Sequence, residues 1–187
     1  MLRCGGCRSS GGGERAEIEC WITGAEATST GVGRKATAAE RSEMSDQTYD
    51  RGDLATQQLN VAISLFLKRK SFVAALTLAG AAEEILGEAL SQRGQQNSLE
   101  LKYEVMEPIL IMRHQTKEDF IEDENRALIA VTHMASASDQ SVTLDLEEAA
   151  YSMIVRACDN YDLLGLPRTA TMRAFDNWFY EHVVGPP

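Results

Sequence analysis

Ser71-Phe72-Val73-Ala74-Ala75-Leu76-Thr77-Leu78-Ala79-Gly80-Ala81-Ala82-Glu83-Glu84-Ile85-Leu86-Gly87-Glu88-Ala89-Leu90 is the stretch whose periodicity decides the fold. At 100° per residue, Phe72, Leu76, Ala79, Leu86 and Leu90 share one face of a helix that Ser71 caps and Gly94 ends. Glu83 falls in the middle of that face. Burying an unpaired carboxylate costs several kcal/mol, so Glu83 must be paired, protonated or aimed into a cavity. Gly80 and Gly87, seven residues apart, lie on one side with Ala75, Ala79 and Ala82. Each glycine costs about 1 kcal/mol in a helix interior, so two of them indicate a neighbouring helix in close approach, or a cavity.

On either side the chain reads as further helices with short punctuation. Asp53 is the expected cap of a helix running through Leu54, Val61, Leu65 and Phe66 to about Lys70. Ser98 opens a third segment containing Tyr103, Met106 and Leu110. There Pro108 must kink the helix or begin a new one, at about 3 kcal/mol for an interior proline. Thr116 with Asp119 resembles a capping box for a fourth helix reaching about Met134. Ala135 to Ser141 reads as a loop. Asp145 then starts a fifth helix, with Leu146, Ala150, Met153, Ala157, Tyr161 and Leu164 stacked on one face and Gly165 and Pro167 as its stop. A sixth, aromatic-rich helix spans about Thr169 to His182, where Met172, Phe175, Phe179 and Trp178 serve to lock it onto the others. Strand signals are nearly absent. Five or six such helices predict an all-α, up-and-down antiparallel bundle.

Residues 1–43 differ from the rest. They hold eight of the 14 glycines and three of the four cysteines, and their six basic residues balance six acidic ones. Such a composition buries too little surface to offset the entropy of ordering it, so residues 1–43 read as a disordered tail and residues 44–187 as the bundle domain. Met44, followed by Ser45-Asp46-Gln47, would make a natural start, which raises the expectation that part of the tail is an over-extended reading frame. Cys4 and Cys7 form a CxxC with Cys20 beyond, but the tail lacks a fourth ligand, so no metal is expected. Gly31-Val32-Gly33-Arg34-Lys35-Ala36-Thr37 has the wrong spacing for a phosphate loop.

The whole net charge of −10 belongs to residues 44–187, which argues against a general phosphate-backbone binder. No apolar run approaches the roughly 18 residues of a membrane span, and the start lacks the apolar core of a signal peptide. The expected location is cytoplasmic. Cys158 reads as a partly buried structural thiol. Glu83 is expected to pair with Arg156 of the fifth helix, while Glu84, about 100° away, is solvated. On the fourth helix Phe120, Ala127, Val131 and Met134 face the core; Arg126 and His133 lie nearly in line opposite, with Ile129 between them. A cation, an imidazole and an apolar residue on one face fit a phosphate-binding groove, a dimer seam or a plain solvated surface.

From about Asp53 to Val184 the chain resembles a group of uncharacterised, mostly proteobacterial helical proteins akin to HEPN domains. The resemblance rests on four stretches: Gln58 to Leu67, Leu76 to Leu86, the segment around His133, and Phe175-Asp176-Asn177-Trp178-Phe179. Members carry R-N-x-x-K-H before the polar loop, similar to the Arg-x4-6-His pattern of HEPN ribonucleases. Aligned on His133, the family Arg and Asn fall on Leu128 and Ile129 and the Lys on Thr132; only the His matches. Arg126 with His133 meets the loosest Arg-x6-His form. The resemblance therefore implies a homodimer with this helix at its seam, and a binding module that is catalytically weak or inactive. In that module Arg126, Ile129 and His133 form the contact face and Glu83 an internal anchor. The alternative is a metal-independent ribonuclease acting on single-stranded RNA, with His133 as acid/base, Arg126 on the phosphate and Asn125 or Glu83 in support. A second alternative is a small-molecule pocket around Glu83. Expected partners are a second copy, RNA, or a nucleotidyltransferase or antitoxin protein; no cofactor and no membrane is implied.

Overall fold

Asp50, Ser71, Asn97, Thr116, Asp145 and Thr169 each accept a hydrogen bond from a backbone N–H two or three residues ahead, and each begins a helix. A cap of this kind contributes about 1 kcal/mol, so the six starts are written locally in the sequence. The computed structural model describes residues 46–134 and 140–185. The chain divides after Asp46, and all six helices belong to the second unit. They are α1 (Arg51–Leu67), α2 (Phe72–Ser91), α3 (Ser98–Met112), α4 (Lys117–Thr132), α5 (Leu146–Leu163) and α6 (Ala170–Phe179). A π-helical turn, Tyr180–Val184, extends α6. The expected all-α bundle is observed, with no strand among the described residues. No helix among them is long and apolar enough to cross a membrane. The tail cysteines and the glycine-rich stretch at Gly31 lie outside the described residues.

Several boundaries differ from the sequence reading for local reasons. Asp50, not Asp53, caps α1; its carboxylate accepts from the Asp53 N–H at 3.0 Å, which puts Asp53 in the first turn. Asn97 rather than Ser98 caps α3, in a capping box closed by Glu100. Pro108 neither ends α3 nor begins a helix: α3 runs through it on the exposed side, where water reaches the carbonyl that the proline cannot bond. The α4 helix stops at Thr132, because His133 is extended (φ −133°, ψ 148°). The α2 helix stops at Ser91, three residues before Gly94; that glycine (φ 68°) lets Gln95 N–H return to the Leu90 carbonyl at 3.0 Å.

The core lies where α2 packs along both α1 and α5. Ala75, Leu76, Ala79, Ala82 and Leu86 meet Leu59, Ile63, Phe66, Met153, Ile154 and Ala157 there. Phe66 is an aromatic hub, with Phe72, Phe175 and Trp178 rings 5.5, 5.8 and 4.6 Å away, and this is how α6 is locked on. Arg168 strengthens the lock by bridging Asp162 of α5 and Asp176 of α6.

Helix direction carries one departure from strict alternation. Arg69 meets Glu147 where α2 and α5 start, Glu83 meets Arg156 midway, and Arg93 donates to the Leu164 carbonyl where they end. The two helices therefore run parallel. The α4 helix runs against both, since Leu128 packs at Gly80 and Asn125 reaches the Glu83–Arg156 pair one turn away. Up-and-down order thus holds for α1, α2, α4 and α5, and α3 stands outside it. The α3 helix has its own small cluster, Leu99 and Leu110 against Phe120 of α4.

Gly80 lets the Leu128 side chain of α4 lie directly on α2. A Cβ there would lie 2.6 and 2.8 Å from the two methyl carbons of Leu128 and 3.3 Å from its Cγ. We expect Gly80→Val to destabilise the fold by about 1–3 kcal/mol through overpacking, read from urea unfolding. Truncating the obstacle in Gly80→Val/Leu128→Ala should recover part of that loss; a purely additive double variant would contradict the close approach.

Candidate functional site

Three helices, α2, α4 and α5, meet at Arg156. The residues one and two turns along α5 from Met153 point where α2 and α4 meet, so Arg156 and Asn160 enter the interior together. The Arg156 side chain is 7% exposed and that of Glu83 13%. Arg156 Nη2 donates to Glu83 Oε1 at 3.0 Å, and Nη1 donates to the Asn125 side-chain oxygen at 3.0 Å and the Glu124 carbonyl at 3.2 Å. Its Nε is buried without a hydrogen-bond partner among the described residues. Asn160, fully buried, donates to the Glu83 carbonyl at 3.2 Å and accepts from the Ser98 N–H at 2.7 Å, tying down the start of α3. Gly87 leaves room for this amide, since a Cβ there would stand 3.3 Å from Asn160 Nδ2.

Glu83, Asn125 and Arg156 are thus brought together, as one polar joint. A shallow depression of about 330 Å³ borders it, lined by Glu83, Glu88, Ser91, Asn97, Asn125 and Arg156. The basic group that Glu83 faces comes from the protein itself, and Glu84 is exposed.

Arg126, Ile129 and His133 are not part of that joint. All three are exposed on the outer side of α4. Thr132 Oγ1 donates to the Leu128 carbonyl at 2.7 Å and stands 2.8 Å from His133 Nδ1. Among the described residues no hydrogen bond joins Arg126 to His133. His133 sits beside a small depression formed with Met134, Gln140, Ser141 and Val142. No group of side chains among the described residues could hold a metal ion.

A larger cleft, about 640 Å³, opens between α3 and α5. Leu101, Val105, Tyr151, Val155, Leu163 and Phe179 give it apolar walls, and Asp159 and Asp162 add carboxylates. Sequence reading missed it, along with Asn160. The signal was present: Leu101, Val105, Pro108 and Met112 recur at i, i+4, i+7 and i+11, opposite the stripe of Leu99, Tyr103, Met106 and Leu110 that meets α4. Apolar residues on two faces mean that α3 has more surface to cover than α4 supplies.

The chain matches no family model, and no curated protein or solved structure matches it. The geometry of the joint, the α4 face and the cleft carries the functional argument.

Removing one member of a buried pair strands the other. We expect Arg156→Met to cost about 3–5 kcal/mol in urea unfolding, and Glu83→Leu/Arg156→Met to lose much less. Equal losses in the two variants would argue that the pair is not a unit. Cys158 is 3% exposed, and burial pushes its thiol up to about 12. The folded protein at pH 8 should therefore leave Cys158 unalkylated by iodoacetamide, as read by peptide mass mapping, with full labelling in denaturant.

Proposed function

We propose that this chain is a cytoplasmic, homodimeric interaction module of HEPN-like build, catalytically weak or inactive, which self-associates through the outer face of α4. The observation that carries the reading is Ile129, which is 47% exposed in the last turn of α4 between two charged or titratable neighbours. Glu122, Arg126 and Ile129, all exposed, recur at i, i+4 and i+7 as one stripe of α4, and the exposed, extended His133 follows just past the end of the helix. Two such stripes laid antiparallel about a two-fold axis set Glu122 opposite the partner's His133 and Arg126 beside the partner's Ile129. Each side then supplies an apolar centre with an acid at one end and an imidazole at the other. Covering Ile129 contributes on the order of 1–2 kcal/mol per copy.

Weak catalysis fits the same residues. A ribonuclease needs a cation and a proton-transfer group aimed at one phosphate. Arg126 and His133 stand two turns apart on an open face, and the one deeply buried arginine of the joint, Arg156, already holds Glu83, Asn125 and the Glu124 carbonyl.

Light scattering on the purified chain should give twice the monomer mass, and Ile129→Asp should return it to the monomer. An unchanged mass in that variant, or a monomeric parent, removes the proposal. Labelled single-stranded RNA should stay intact on incubation with the parent protein. Cleavage that disappears in His133→Ala would establish the ribonuclease reading instead.

A further inference from the structure

Among the described residues, the cleft between α3 and α5 has one carboxylate, Asp159, that forms no ion pair. Lys102 is bound by both oxygens of Glu124 at 2.7 and 2.6 Å, Arg156 by Glu83 at 3.0 Å, and Asp162 by Arg168 at 2.6 Å. Asp159 stands in the same wall, open to the cleft. Its hydrogen-bond partner among the described residues is a neutral group, the Ser98 hydroxyl, at 3.3 Å. Desolvation by the surrounding walls pushes its carboxyl above the ordinary aspartate range. The Ser98 hydrogen bond and Arg168 pull it back, while Asp162 and Asp176 push it further up.

The floor of the cleft is ordered along α5. Tyr151, Val155 and Asp159 follow one another every four residues on one face. At 1.5 Å per residue the carboxylate position lies about 6 Å beyond Val155 and about 12 Å beyond Tyr151. Leu101 and Val105 form the facing wall, and the Phe179 ring stands 6.0 Å from the Tyr151 ring at the aromatic end. The volume of about 640 Å³ is of the size that encloses small organic molecules. An anion entering here would meet Asp159 and Asp162 while Lys102, Arg156 and Arg168 are already held. A neutral apolar molecule would leave Asp159 unpaired under it.

We propose that this cleft is a binding site for an amphiphilic amine, whose ammonium pairs with Asp159 and whose apolar body lies along Val155 and Tyr151 toward Phe179. Arg126, Ile129 and His133 do not line the cleft, and the site does not rest on self-association. It supplies a head for charge, a tail groove of fixed direction, and the Ser98 hydroxyl to hold the acceptor carboxylate in place.

Calorimetric titration of the full chain at neutral pH with n-octylammonium, ethylammonium and n-octanoate tests the assignment. n-Octylammonium should bind, and the other two, each lacking one half of the recognition, should bind at least about tenfold more weakly. Asp159→Asn should lower n-octylammonium affinity by about tenfold or more while leaving the thermal midpoint close to that of the parent. Val105→Trp, which fills the facing wall without touching the carboxylate, should lower it as well. The proposal is overturned by absence of binding at millimolar n-octylammonium, by equal affinity for n-octanoate, or by parent-like affinity in a folded Asp159→Asn. Parent-like affinity in Val105→Trp would overturn it too, since the amine would then be elsewhere on this acidic surface.

Discussion

The pairing of Arg156 with Glu83 is the constraint on which the rest of the bundle depends. The buried face of α2 sets three alanines and two glycines among three leucines, and the small residues let neighbours come close without telling them where to stop. The ion pair supplies that information. A slip of α4 or α5 by one turn would take the Asn125 oxygen and the Glu124 carbonyl away from the guanidinium, or strand a charge inside the protein. A buried pair of this kind contributes little net stability and penalises alternatives heavily. Here it joins three helices at once, and Asn160, one turn further along α5, adds the start of α3.

With α1, α2, α4 and α5 held in alternation, α3 is left in an unusual position. It is fixed at its first residue, where the Ser98 N–H meets Asn160 and its hydroxyl meets Asp159, and it packs on α4 through Leu99, Tyr103, Met106 and Leu110. Its other apolar side, with Val105 77% exposed, forms a wall of the open cleft. The depression beside Glu83 and the larger cleft thus both border Arg156.

Much of this was legible in the sequence because the signals are local. Helix count, the capping roles of Ser71, Thr116 and Asp145, the close approach at Gly80 and the aromatic lock of α6 all follow from spacing and residue type within one or two turns. The Glu83–Arg156 contact was legible too, since a carboxylate on an apolar stripe demands a partner and few buried cations compete. The direction of α5 relative to α2 was not, because it depends on α3 leaving the alternation, and nothing in one helix reports where another points. Asn160 and Asp159 escaped for a related reason. An amide or a carboxylate near the end of a helix reads as ordinary surface until the helix that covers it is known.

The parallel course of α2 and α5 has an electrostatic consequence. Two helices side by side and in the same sense bring their half-positive amino ends together and their half-negative carboxyl ends together, an arrangement in which like ends repel. The groups at the two ends answer it. Glu147 and Glu148 stand in the first turn of α5, where Glu147 meets Arg69 just ahead of α2, and Arg93 lays its guanidinium on the Leu164 carbonyl where both helices finish. Glu147 is taken up by Arg69, so Glu148 and Arg93 are the terminal counter-charges for the pair of aligned dipoles, and they lie far apart in the chain.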